Sequence, residues 1–151
     1  MSIAYKTLVT KLSNHAKSLG VFATVNHHEP KDAPTGPHCA FYVAGIRPAP
    51  LQSGLNVSSA LVVIMGRIYS NMIQEPEDDI DPSVVAATDA LMAAYTGDFT
   101  LGGNVMMVDL LGSNGEPLSA RAGYINVSGT MFRSMDITIP LVVADAWTQG
   151  A

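Results

Sequence analysis

Residues 2–19 carry Tyr5, Leu8, Leu12, Ala16 and Leu19 at helical spacing, with Ser2 placed to cap the first turn and Gly20 just beyond the last. This spacing predicts an amphipathic helix. Residues 21–27 then alternate Val21, Ala23 and Val25 against Phe22, Thr24 and Asn26, the period of a short strand, and Pro30, Pro34 and Pro37 mark a loop. A second strand is predicted over 39–47, closed by Pro48 and Pro50, which have no N–H to give a ladder. Residues 51–56 read as a mobile connection. From 60 to 69 both alternating sets are apolar at first, through Leu61, Val62, Val63, Ile64 and Met65, which predicts a central strand covered on both sides. The helices would cover one side and a neighbouring subunit the other.

The second half repeats the order of helix then strands. Asp81-Pro82 supplies a cap and a first-turn proline for a helix whose buried face runs Val84, Val85, Thr88, Leu91, Met92 and Tyr95, with Gly97 placed to end it. Strands are predicted over 105–111 and 123–129, flanking a loop in which Asn114-Gly115 favours a positive-φ turn. The last strand, 131–147, is long. Its odd positions Met135, Ile137, Ile139, Leu141, Val143 and Trp147 form an apolar face, against Ser134, Asp136, Thr138 and Pro140 on the other. Runs of strands separated by single helices predict one α+β domain over residues 1–151, its two helices packed on a mainly antiparallel sheet.

Composition adds a reason to expect partners. Charged residues make up 14% of the 151-residue chain, against roughly 25% in ordinary soluble domains. So sparse a charge layer predicts apolar surface buried against other copies. The net charge of −5 argues against sequence-independent binding to duplex DNA, because that attraction comes from Lys and Arg neutralising phosphates. The charge is also segregated. All four lysines, Lys6, Lys11, Lys17 and Lys31, precede residue 32, and acids crowd between Glu75 and Asp81. A single cysteine, Cys39, fits a reducing compartment, and the first residues lack the continuous apolar run of a signal peptide. No stretch approaches the length of a membrane span.

Chemistry is sparse. His27, His28, Glu29 and His38 are the nearest approach to a metal set, but neighbours on a strand point to opposite faces, and ordinary loop histidines are the plainer reading. The acids Glu75, Glu77, Asp78, Asp79 and Asp81 lack the glycine and distal glutamate of a calcium loop, so a solvated acidic loop is expected. Gly102-Gly103 precedes a strand and no phosphate-loop lysine follows. No Gly-x-Ser-x-Gly elbow is present, and Cys39 sits within a strand as a small core residue. No catalytic residue, cofactor or metal is therefore expected. Two further roles fit the acidic loop: repelling a polyanion in a channel, or pairing of Glu77, Asp78 and Asp79 across a subunit interface with Arg47, Arg67, Arg121 or Arg133; Arg133 and Asp136 are expected to offer an interface salt bridge.

The order of elements resembles the tail terminator proteins of long-tailed bacteriophages, also called tail completion or minor tail proteins. The segments that carry the likeness are VFATVNH, HCAFYVAGIRPAP, SALVVIMGRIYSN, DPSVVAATDALMAAY, GYINVSG and MFRSMDITIPLVVADAW, which together span nearly the whole chain. The resemblance implies a virion protein of the tail or neck, assembled in the host cytoplasm. Six subunits would form a ring that caps the finished tail tube and offers a surface to the head connector and other neck proteins. Viral DNA would pass through without sequence-specific binding, and no membrane is involved. The loops 29–37, 51–59 and 112–121 would reach neighbours or the tube end and order on assembly. Another neck, connector or tail tube protein is the nearest alternative, ahead of a small hydrolase using His28 or His38, or a ligand-binding domain.

Overall fold

A computed structural model describes residues 3–72 and 76–150. Among them two helices lie on one face of a mixed, mostly antiparallel six-stranded sheet, an α+β architecture. Helix α1 (Tyr5–Leu19) buries Leu8, Val9, Leu12 and Ala16, and it ends at Gly20, whose φ of 69° only a residue without Cβ adopts at little cost. The expected cap Ser2 lies outside the described residues. Strand β1 (Thr24–Asn26) is shorter than the alternation suggests and runs parallel to β2 (His38–Pro48). Strand β3 (Val57–Asn71) lies between β2 and β6 (Thr130–Thr148), antiparallel to both. The far side of β6 carries β4 (Met107–Val108) and β5 (Ser119–Val127), both antiparallel to it.

Helix α2 (Ile80–Gly97) starts slightly before the expected Asp81-Pro82 signal, led in by a 3-10 turn, Glu77–Asp79. Pro82 is tolerated because first-turn N–H groups have no partner inside the helix. Its buried stripe is Ile80, Val84, Thr88, Leu91 and Tyr95; the predicted Val85 is instead exposed and Met92 is half-buried. The Tyr95 hydroxyl donates to the Leu12 carbonyl at 3.0 Å and so joins the two helices inside the core.

The main core lies between helices and sheet, with Leu8, Leu12, Phe41, Val62, Ile64, Leu91, Ile137, Ile139 and Leu141 all buried. Gly66 leaves room there for the Phe41 ring, which would stand 3.0 Å from a Cβ. The opposite face of β3 is buried at both ends, as its sequence requires, but by this chain's own residues. At one end Leu61, Val63 and Val142 meet Ala49 and Met107, and at the other Tyr69 and Phe132 meet Ala33, Ala40 and Val127. The expected neighbouring subunit is not needed for either cluster.

Two expectations for the later strands are corrected. Only Met107–Val108 of the predicted 105–111 strand pairs, because turns at Leu101–Gly103 precede it and Asp109 then draws the chain round to Ser113 and Asn114. Trp147 does not share the odd face of β6. Asp145 adopts a φ of 52°, the pairing with β3 slips between Ser58 and Ala60, and the alternation changes phase, so that Ala146 is buried and Trp147 exposed. Strands β5 and β6 join through Ser128-Gly129, both at positive φ, the tight two-residue hairpin turn that suits sheet twist.

Gly66→Ala should cost about 1–3 kcal/mol of stability, the usual penalty of overpacking, read by urea denaturation. The same change in a Phe41→Leu background should cost less, and an equal cost in both backgrounds would show that the ring contact is not its cause.

Candidate functional site

Residues directly opposite on neighbouring strands share a face. Pairing places Arg67 beside Asp136 and Asp136 beside Arg121 on the sheet face away from the helices. Arg67 donates from Nε to Asp136 Oδ1 at 2.6 Å and from Nη2 to Oδ2 at 3.3 Å, a two-pronged pair, with Glu29 3.6 Å away and the Tyr42 ring under the guanidinium. Burial works against the Arg67 charge, but the hydrogen bonds and attraction of Asp136 outweigh it and hold the group firmly protonated. The Tyr42 phenol is pushed up to about 12, mainly by burial, with Arg67 opposing and Glu29 and Asp136 adding.

Arg133 lies on the helix side of the sheet, so it cannot share a bridge with Asp136. It donates to Asp81 at 2.8 and 3.4 Å and to the Gly123 carbonyl, and its guanidinium rests 4.5 Å from the Tyr124 ring centre. Arg47 donates to the Asn114 carbonyl and stands 3.9 Å from Glu116. Of the expected interface cations, Arg67 and Arg133 are thus bound to carboxylates of their own chain. Arg121 is exposed with no carboxylate partner among the described residues, and so are Glu77, Asp78 and Asp79, whose carboxylates stay in solvent. Glu75 falls outside the described residues.

The histidines disperse. His27 Nε2 shares a 2.9 Å hydrogen bond with Ser13, His28 Nδ1 donates at 2.9 Å to the Glu29 carbonyl, and His38 Nδ1 shares a 2.8 Å bond with Thr24. No group of three or more His, Cys, Asp or Glu side chains among the described residues could hold a metal ion. His38 is buried against Tyr69 with Nε2 unpartnered, and burial, then His28, lowers its pKa. Cys39 is buried in the core and its thiol is pushed up to about 12 by that burial, so it holds little thiolate at neutral pH. A cavity of about 510 Å³ opens between α2 and residues 21–22, lined by Val21, Phe22, Ile68, Val84 and Ala87 among others, with no charged side chain or histidine on its wall. These groups supply no nucleophile, base and oxyanion donors in one place.

A different feature stands out that hydropathy did not single out. Leu55 and Leu111 are 94% and 92% exposed and Leu51 is exposed too; they lie on two loops joined by hydrogen bonds of Asn114 with Leu51 and Gln52. The loops are tied together by buried polar groups. The Asp109 carboxylate accepts from the backbone N–H of Ser113 and Asn114; Asn114 accepts from the Leu51 N–H and donates to Gln52 Oε1 at 2.6 Å. Ser59 Oγ donates to the Gln52 carbonyl, and the 3-10 helix Pro50–Gln52 follows β2 directly. The 51–56 connection, expected to be mobile, thus makes hydrogen bonds to Asn114, Ser59 and Gln149. Positive φ in the second loop falls on Gly112 and Gly115, not on Asn114. Buried hydrogen-bonded side chains thus hold apolar side chains out in water.

No family model matches the chain, and no curated protein is significantly similar to it. Among the described residues, no helix is long and apolar enough to cross a membrane.

Asn114→Ala should cost roughly 1–3 kcal/mol by stranding buried partners, and should speed amide exchange at Leu51; unchanged exchange there would show that Asn114 does not tie the loops. The histidines predict an acid-side loss. His38 and His27 both titrate below the ordinary value when folded, chiefly through burial. Below the unfolded value of about 6.5 the unfolded chain then binds more protons, so stability falls as pH drops from 7.5 to 5.5. Thermal melts should show a smaller acid loss in His38→Asn than in the parent, and equal losses would assign the effect elsewhere.

Proposed function

We propose that this chain is a structural virion protein that forms a ring, of six copies by the resemblance, at the head-proximal end of a phage tail. There it stops growth of the tail tube and presents the surface to which head connector proteins dock. Its work is binding geometry, without catalysis or a cofactor. The observation that carries this reading is the hydrogen-bonded pair of loops presenting Leu51, Leu55 and Leu111. Exposed leucines cost free energy in a monomer and are recovered only in a contact, and loops already fixed lose little entropy when that contact forms. The order of helices and strands, which resembles tail terminators, supports the same reading. So does the dispersal of the histidines and the inert thiol, which leaves a hydrolase without its parts. An alternative place in the same neck, as a connector or tube protein, would use the same platform.

Incubation of the purified protein with tail tubes from the phage that encodes it, followed by negative-stain imaging, is expected to show ring density at one end of the tube only. Binding along the whole tube, or none, would overturn the terminator reading. Leu55→Asp with Leu111→Asp should leave the fold intact by circular dichroism and reduce end-binding by about ten-fold or more, as expected of apolar hot spots worth about 1.4 kcal/mol or more together.

A further inference from the structure

The helix layer covers the sheet unevenly. Helix α1 packs over β1 and β2, and α2 over β3 and β6, but neither helix makes more than marginal contact with β5. Ala120, Ala122 and Tyr124 pair with Ile137, Met135 and Arg133, so they point to the helix side of the sheet, and all three are exposed. The result is an open ledge along an edge strand, floored by two alanines.

The wall above this ledge is acidic. Asp81 reaches Arg133 beside the ledge, and Val85 and Asp89 continue the same i, i+4, i+8 row of α2, both exposed. Glu77 and Asp78 border a cleft of about 370 Å³ with Tyr124 and Arg133 at one end of the ledge. Residues 76–98 contain no Lys or Arg. Apart from Asp81 and Asp98, which bind Arg133 and His15, their acids have no cation partner among the described residues.

The opposite edge carries the complement. Helix α1 contains three lysines and no acid. Its Leu12 carbonyl and His15 face α2, through Tyr95 and Asp98, whereas Ser13 turns the other way to His27. On that other flank Lys6, Thr10, Asn14 and Lys17 form an exposed row with no buried apolar side chain in it. Lys6 and Lys17 are eleven residues apart on α1, roughly 16 Å along a helix, while Asp78 lies in the 3-10 turn that leads into α2 and Asp89 lies within α2 itself.

We infer that the ledge of β5 receives the basic flank of α1 from a second copy of this chain. Lys6 and Lys17 lie against the acidic row of α2, and the small side chains of Ala120 and Ala122 let the helix approach. The two patches differ and sit on opposite edges of the subunit, so the contact is heterologous and head-to-tail, the kind that closes into a ring. Helix α1 of each copy then supplies the missing third cover over its neighbour's sheet. This inference rests on the ring reading above but names its lateral contact, which is separate from the leucine platform.

The test is charge reversal with a covalent check. Lys6→Glu with Lys17→Glu, and separately Asp78→Lys with Asp89→Lys, should each weaken self-association by about ten-fold or more in sedimentation, because like charges then face each other. Joining all four changes in one chain should restore it. Rising salt should weaken the parent contact. Since Cys39 is buried, a Lys17→Cys and Ala122→Cys chain should give a ladder of disulfide-linked copies under mild oxidation, at high concentration or on tail tubes. Rings on tubes with no ladder, and with reversed variants associating like the parent, would overturn this contact and leave the terminator reading standing. A ladder without any tube binding would do the reverse. Loss of DNA retention by Lys6→Glu with Lys17→Glu, with self-association unchanged, would make the flank a DNA face and overturn the contact.

Discussion

The antiparallel pairing of β3 with β6 is the constraint on which the other features depend. It runs from Asn71 against Phe132 to Val57 against Thr148, and its register decides which side chains meet the helices and which meet the loops. Because side chains alternate with a period of two, a slip of one residue would move Ile137, Ile139 and Leu141 out of the core and Asp136 and Thr138 into it. The same register sets Arg67 against Asp136 and, through β5, leaves Arg121 on the far side of that pair. A single ladder therefore fixes both the core and the charge pattern of the open face.

Much of the fold was legible in the chain because the burial requirement writes itself into periodicity. The apolar run from Leu61 to Met65 could only be a strand covered on both sides, and it is the central one, buried by helices on one face and partly by loops on the other. The alternation of 135–143 likewise marked the helix-facing side of β6. Periodicity fails where the backbone leaves its regular geometry. Asp145 carries no signal that it will adopt positive φ, so Trp147 seemed to continue a face from which the bulge removes it. The predicted 105–111 strand failed for a related reason, since Asp109 satisfies the amides of a following turn and ends the ladder.

Charged residues were less legible than apolar ones. An apolar side chain has one demand, to leave water, whereas a cation can be satisfied by any carboxylate that topology brings near. Nothing along the chain sets Arg133 near Asp81 or Arg67 near Asp136, each pair being separated by more than fifty residues. Arg133 and Asp136 are close in sequence, yet an odd separation on a strand puts them on opposite faces. The loop platform was hidden too. Its signal is the buried Asp109 and Asn114, two polar residues whose hydrogen bonds become visible only when Gln52 and Leu51 arrive beside them.

The segregation of charge along the chain becomes a segregation in space because each helix occupies its own part of the sheet. Lys6, Lys11 and Lys17 of α1 end up over β1 and β2, and the acids of the approach and body of α2 end up over β3 and β6. Had the two helices exchanged places, the acids would border the three-residue β1 and the lysines the longer β5 edge. Intramolecular pairing could have consumed these charges, but the helices meet through Tyr95, Leu12, His15 and Asp98, and the flanking lysines and acids point away from that seam. Lys6 and Lys17 on one edge, and Asp78 and Asp89 on the other, have no ion-pair partner among the described residues. If two copies meet, such a separation of charge would favour one relative orientation before any apolar surface is buried.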